Sequence, residues 1–133
     1  MNILAIGAHY DDIELGVGGT IAKHIDNGDN VVFVVVTESD YTDHSGLLRR
    51  SKSQRILMYR SNWYHTTEPF RDNFHSDISS YVNLKVESLK AHTTEFERRG
   101  KEWVDFVIHQ NRNCGIRVGV KYAEAFEIVK WLN

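Results

Sequence analysis

The chain has 133 residues, 41% of them hydrophobic and 26% charged, which suffices for one ordinary hydrophobic core. We therefore expect a single domain over residues 1–133. The formal net charge of −2 provides no global basic field, so neither nucleic acid nor an anionic membrane is an expected partner. Because no apolar stretch approaches the length of a membrane span and no signal peptide is recognisable, the expected location is cytoplasmic. Cys114 is the only cysteine, which excludes an internal disulfide and a thiolate metal cluster.

The first part of the chain predicts a βαβ unit. An apolar strand over Asn2 to Gly7 leads into a polar motif, and residues 20–25 then carry apolar side chains at helical spacing until Asn27-Gly28-Asp29 ends the helix. The uninterrupted β-branched run over residues 31–36 predicts a strand buried on both faces and hence parallel to its neighbours. The predicted fold class is therefore α/β, a Rossmann-like three-layer fold with a mostly parallel sheet.

The remaining elements are less regular. Residues 55–59 follow the charged stretch 47–54 almost at once, although a parallel crossover usually needs a dozen or more residues including a helix. A polar loop over residues 66–76 precedes Asp77, which can cap a helix with its apolar stripe on one face. Another amphipathic helix is predicted over residues 101–110, followed by a glycine-punctuated turn.

The polar motif after the first strand carries the chemistry. His9, Asp11 and Asp12 emerge together where open α/β sheets place their ligands, at the carboxyl end of a strand. Acidic groups packed beside an imidazole repel one another unless a cation or proton lies among them, and this ligand set suits zinc. The motif alone predicts a metal-assisted hydrolase.

The stretch from Ala8 to Gly16, followed by Gly18-Gly19-Thr20, resembles the signature of the PIG-L/LmbE superfamily of zinc-dependent de-N-acetylases, in which a strand end carries Ala-His-Pro-Asp-Asp. The far end of the chain is also similar to that superfamily's closing region in residue type and order. The matching positions are Asp77-Ile78-Ser79, Leu89-Lys90-Ala91-His92, Arg112, Gly115, Gly119, Tyr122-Ala123-Glu124 and Phe126.

The resemblance implies specific roles. His9 and Asp12 would be ligands of Zn²⁺, with another divalent metal left open, and Asp11 would be the general base that takes a proton from the metal-activated water. The implied reaction removes an N-acetyl group from an amino sugar or sugar conjugate and releases acetate. Arg50 and His92 are candidate substrate contacts. A homo-oligomer is left open by the sequence.

Two departures from the superfamily pattern stand out. Tyr10 replaces the usual proline, which frees a backbone angle but removes no ligand. The central His-Pro-Asp-His-like segment, which supplies the third zinc ligand and an assisting histidine, has no counterpart in this sequence. The joint between Gln54 and Arg55 is where that segment would belong, so either the protein has lost it or the sequence as written omits it.

Alternatives from other functional classes stay open. One is a non-catalytic sugar-binding or interaction relative that lost the third ligand. Another is a Rossmann-type nucleotide-binding module, since Gly16 to Gly19 and Glu38 superficially match a dinucleotide fingerprint, although its third glycine is absent. His44, His65 and His75 are the weaker candidates for a replacement ligand, whereas His24 fits a surface or packing role.

Overall fold

The computed structural model describes residues 1–9, 11–35, 55–59 and 70–132. These residues form five strands and four helices. The strands are β1 (Asn2–Gly7), β2 (Asn30–Val35), β3 (Arg55–Tyr59), β4 (Phe74–Asp77) and β5 (Ala123–Trp131). The helices are α1 (Asp12–Asp26), α2 (Val82–Ala91), α3 (Thr93–Arg99) and α4 (Lys101–Val118).

Strands β1 and β2 pair in parallel, as the βαβ pattern predicts, with Ile3 opposite Val31 and Gly7 opposite Val35. Their inward face and α1 build the first core cluster, which also includes Phe126 of β5. The opposite face is open, because its alternate side chains remain substantially exposed: Leu4 60%, Ile6 38%, Val32 57% and Val34 41%. The prediction that β2 is buried on both faces is therefore wrong, and the described elements do not show a third layer here.

The other three strands form a separate sheet in the order β3-β5-β4, and both pairings are antiparallel. The expected mostly parallel sheet is thus not seen in the described residues, where β1–β2 is the parallel pairing. Strand direction depends on the path that the chain takes between strands, which the local apolar pattern does not encode. The mixed α/β class itself is confirmed.

Helix α1 is bent at Val17, whose φ of −138° and ψ of 15° depart from helical geometry. On one side of the bend the helix carries the predicted polar motif, and on the other it continues to Asp26. The helix begins at Asp12, earlier than the apolar spacing predicts, because the motif itself forms the first turn. Leu15 of this turn joins a second core cluster with Leu89 and with Trp103, Val104 and Val107 of α4.

Several element boundaries differ from the sequence expectations. β4 lies within what the pattern assigns to a polar loop and its cap, and it is stabilised by pairing with β5 rather than by local propensity. The helix after Asp77 is divided at His92 into α2 and α3. Helix α4 runs through Gly115 and ends at Gly119, whose φ of 79° is left-handed. None of the described helices is long and apolar enough to cross a membrane.

Candidate active site

The turn between β1 and α1 brings His9 and Asp12 together. The backbone N–H of His9 donates to Oδ2 of Asp12 over 2.8 Å, and the same oxygen lies 3.3 Å from Nδ1 of the His9 imidazole. The His9 side chain is 64% exposed and the Asp12 side chain 28% exposed. The turn therefore holds an imidazole nitrogen and a carboxylate oxygen side by side at the surface.

This arrangement fits two ligands of one zinc ion. Ligand atoms about 2.0–2.2 Å from a tetrahedral zinc lie roughly 3.3–3.5 Å from each other, which matches the Nδ1–Oδ2 separation. Nitrogen and oxygen donors are also the chemistry that zinc accepts in catalytic sites. Among the described residues, however, no group of three or more His, Cys, Asp and Glu side chains is placed to hold a metal ion. The described part of the chain thus offers two candidate ligands, whereas catalytic zinc sites usually have three protein ligands.

Asp11 occupies the position immediately before α1 without serving the helix as a side-chain cap. Its backbone carbonyl accepts the N–H of Leu15 over 2.9 Å, but its carboxylate makes no capping hydrogen bond. An aspartate in this position commonly caps the helix. The Asp11 carboxylate is therefore not engaged in the most usual structural role for its position, and it neighbours Asp12 in the chain.

Glu14 and His92 form a second pair near the start of α1. Oε2 of Glu14 lies 3.5 Å from Nε2 of His92, and the two side chains are 21% and 23% exposed. Glu14 Oε2 is buried and has no hydrogen-bond partner among the described groups. His92 sits at the junction of α2 and α3, so two helix ends place its ring against the first turn of α1. The sequence singles out His92 but does not predict its contact with Glu14.

Tyr59 is a neighbour of this turn that the sequence pattern did not single out. Its hydroxyl donates to the carbonyl of Ile6 over 2.9 Å, which joins β3 to the end of β1. Burial raises the pKa of the Tyr59 phenol, and the carboxylates of Asp12 and Glu14 raise it further. The phenol therefore stays protonated at neutral pH and acts as a donor.

The glycines of the motif have packing roles. A Cβ on Gly16 would lie 2.3 Å from Tyr59 Cδ2, and one on Gly19 would lie 2.8 Å from Ile78 Cδ1. Both glycines lie inside α1 rather than in a loop after a strand. Close packing thus accounts for these glycines, and the dinucleotide interpretation gains no support from them.

At the bend of α1, the buried carboxylate of Glu124 accepts two backbone N–H groups. Oε1 accepts from Gly19 over 2.9 Å and Oε2 accepts from Thr20 over 2.8 Å. The Lys85 ammonium donates to Oε1 over 2.6 Å, and both charged side chains are completely buried. The sequence resemblance includes Glu124, but no sequence pattern singles out Lys85. Its apolar neighbours Val82, Val86 and Leu89 were the only signal that α2 has a buried side.

The other candidate residues are placed as follows. His24 pairs with Asp29 over 2.7 Å at the end of α1, as a structural role predicts. Arg112 donates to the carbonyl of Lys121 over 2.8 Å and so fixes the closing turn. His75 lies in β4, paired with Ala125. Arg50 lies outside the described residues, as do Glu38, His44, His65 and the Gln54 side of the 54–55 junction.

A small concavity of about 130 Å³ lies elsewhere on α1. Leu15 and Gly16 line it together with residues of α4 and Ala125 of β5, and none of His9, Asp11 and Asp12 contributes to its wall. The candidate active site is thus an exposed turn rather than this cavity.

Comparison with known proteins identifies the family of the chain and agrees with its fold. The family model described as PIG-L, GlcNAc-PI de-N-acetylase, matches residues 4–94, which is more than half of the chain and includes the His9–Asp12 turn. The crystal structure of the conserved protein TT1542 from Thermus thermophilus is similar to this chain, with a TM-score of 0.73 and 17% sequence identity. The similarity covers 98% of this chain and 95% of that one, and at this identity it shows a shared fold. The chain therefore belongs to the PIG-L family of de-N-acetylases.

Proposed function

We propose that this protein is a zinc-dependent hydrolase that removes the N-acetyl group from an amino sugar or sugar conjugate. The observation that carries the proposal is the 3.3 Å separation of His9 Nδ1 and Asp12 Oδ2, on an exposed turn inside the region that matches the PIG-L family. Catalytic zinc sites keep a position open to water and substrate, and the exposure of His9 suits that requirement.

His9 and Asp12 would hold the metal. When bound, zinc supplies a Lewis acid that makes water a better nucleophile and stabilises the negative charge developing on the acetamide oxygen. The catalytic role of Asp11 is to take a proton from the attacking water with its carboxylate. As the C–N bond breaks, that proton is delivered to the departing nitrogen, so that the products are acetate and the free amine.

Glu14 and His92 would face the substrate rather than the metal. The Glu14 carboxylate, whose side chain is 21% exposed, can accept a hydrogen bond from a sugar hydroxyl, and the His92 ring 3.5 Å away can donate or accept one. Arg50 is proposed to pair with an anionic group of the conjugate. These assignments are independent of the zinc ligands and are tested through KM.

The third protein ligand is part of the proposal. If the protein is a single domain over residues 1–133 with a deletion at the 54–55 junction, we expect a weakened site with two protein ligands. If a segment is omitted there, we expect a complete site. The intact mass of the polypeptide separates the two cases, because an omitted segment adds its own mass to the 15.4 kDa of the sequence.

The proposal is tested by acetate release from a panel of N-acetylhexosamine conjugates, with zinc content measured on the same samples. We expect Asp11→Asn to lower kcat by about 10²–10⁴-fold while zinc is retained, because it removes the base and no ligand. Asp12→Asn should lose zinc and activity together. Asp105→Asn, on an exposed carboxylate of α4, is the matched control and should change neither.

If the wild-type protein retains zinc but releases acetate from none of these conjugates, the hydrolase assignment is wrong and a sugar-binding relative is indicated. Equal activity of Asp11→Asn and wild type would remove Asp11 from its assigned role.

A further inference from the structure

The buried pair Lys85–Glu124 lies beyond the residues that would touch metal or substrate. Both side chains are 0% exposed. Taking an ion pair out of water commonly costs more desolvation free energy than is gained from the Coulombic attraction between its two charges. The burial of this pair is therefore weak evidence that it stabilises the fold. Its hydrogen bonds indicate a further structural role.

The hydrogen bonds of Glu124 are concentrated at the bend of α1. Val17 leaves helical geometry, so the segment that follows it begins a new helical turn with backbone N–H groups pointing toward its start. Glu124 accepts from Gly19 through one oxygen and from Thr20 through the other. The carboxylate thus caps an internal helix start, where negative charge is also favoured by the helix dipole.

Lys85 compensates the charge of this buried carboxylate. Its ammonium neutralises the carboxylate over 2.6 Å, and its stem packs 3.5 Å from where a Cβ on Gly18 would lie. The pair therefore connects α2 and β5 to one point on α1, the point where the first turn changes direction. That first turn carries Asp12 and follows directly on Asp11.

We propose that Lys85 and Glu124 are positioning residues, which hold the bend in α1 and thereby set the geometry of the His9–Asp12 turn. The link to zinc rests on the function proposed above, whereas the link to the backbone of the turn does not. Without the cap, the amides of Gly19 and Thr20 would return to carbonyls within α1, and the first turn would change direction.

The test compares wild type with Lys85→Met/Glu124→Leu, which replaces the pair by apolar side chains and leaves no buried charge. Ile21→Ala is the control, because it removes core volume from the same helix beyond the bend. Two quantities are measured: amide chemical shifts and hydrogen exchange over residues 11–20, and zinc affinity by calorimetry. Glu124→Gln, which keeps the shape and one acceptor oxygen, is measured in parallel and decides the outcome if the double variant does not fold.

We expect the double variant to shift the amide resonances of residues 11–16, to lose protection at Gly19 and Thr20, and to bind zinc at least about 10-fold more weakly. Ile21→Ala should keep zinc affinity within about twofold, as expected of a change that is remote from the ligands. Unchanged resonances over residues 11–16 together with unchanged zinc affinity would overturn the proposal. If wild type binds no zinc, the proposed function fails, and the resonances of residues 11–16 alone decide whether the pair positions the turn.

Discussion

Two polar pairs that contact helix α1 differ in nearly every physical respect. His9 and Asp12 lie at the start of α1, 3.3 Å apart and 64% and 28% exposed. Lys85 and Glu124 meet at its bend, 2.6 Å apart and fully buried. In the inner pair, Lys85–Glu124, both carboxylate oxygens accept hydrogen bonds. In the outer pair, His9–Asp12, the imidazole is exposed to solvent.

This contrast shows how the backbone of one helix can be held at its bend while a polar pair at its start stays accessible to a ligand. A buried pair can persist only if its hydrogen-bonding capacity is satisfied, so it fixes the backbone that it touches. An exposed pair is less constrained and can accept a ligand without first breaking a buried network. In this protein the two pairs are separated by Gly16 and Val17, which form the bend and its closest packing contact.

The largest expected effect comes from breaking the inner pair by Lys85→Met alone. Glu124 would then remain buried without its counter-ion, and the free energy of unfolding should fall by about 3–5 kcal/mol. Urea denaturation measures this loss. Arg98→Ala, which breaks an exposed pair with Glu95 on α3, is the control and should cost less than about 1 kcal/mol. Equal losses for the two variants would show that burial does not distinguish these pairs.

An intermediate effect is expected between the two pairs, at Gly16. Gly16→Ala places a methyl group against the Tyr59 ring, whose hydroxyl is held by Ile6, and overpacking of this kind typically costs about 1–3 kcal/mol. Gly18→Ala is a matched control, because its nearest contact would be at 3.5 Å and alanine favours helix by up to about 1 kcal/mol. Thermal unfolding of both variants checks the contrast, and a stabilised Gly16→Ala would contradict the packing.

The smallest effect is expected at the exposed pair of Asp72 with Arg117. The hydrogen bond from Arg117 lowers the pKa of the Asp72 carboxyl, so its contribution to stability is present above the ordinary carboxyl pKa and is lost as pH falls through the lowered value. Asp72→Asn should therefore cost less than about 1 kcal/mol at pH 7 and progressively less toward pH 2. Urea denaturation across this pH range measures the difference, and a penalty that grew on acidification would contradict the assigned direction.

The sequence predicts the outer pair much better than the inner one. His9, Asp11 and Asp12 follow an apolar strand within four residues of one another, so a local pattern is enough to find them. Lys85 and Glu124 are 39 residues apart and meet only because α2 and β5 both pack on α1. Nothing local in a lysine among helical residues indicates complete burial.

The strand arrangement is likewise predicted only where the pairing strands lie close together in the chain. Parallel pairing of β1 and β2 follows from the short βαβ unit, whereas antiparallel pairing of β4 and β5 joins residues about fifty positions apart. Phe74 to Asp77 is a strand because Phe126 and its neighbours pair with it, and its own sequence is equally compatible with a polar loop. The contact of Glu14 with His92 likewise depends on where two helices end.

The central claim is that the outer pair binds zinc, and calorimetric zinc titration of wild type, His9→Ala and His24→Ala tests it most directly. His24 is the matched control, because it lies near the end of α1 that is remote from His9 and pairs there with Asp29. We predict saturable binding of one zinc ion per chain in wild type and His24→Ala, and at least about 10-fold weaker binding in His9→Ala. Equal zinc affinity in all three proteins, or none in wild type, would contradict the account.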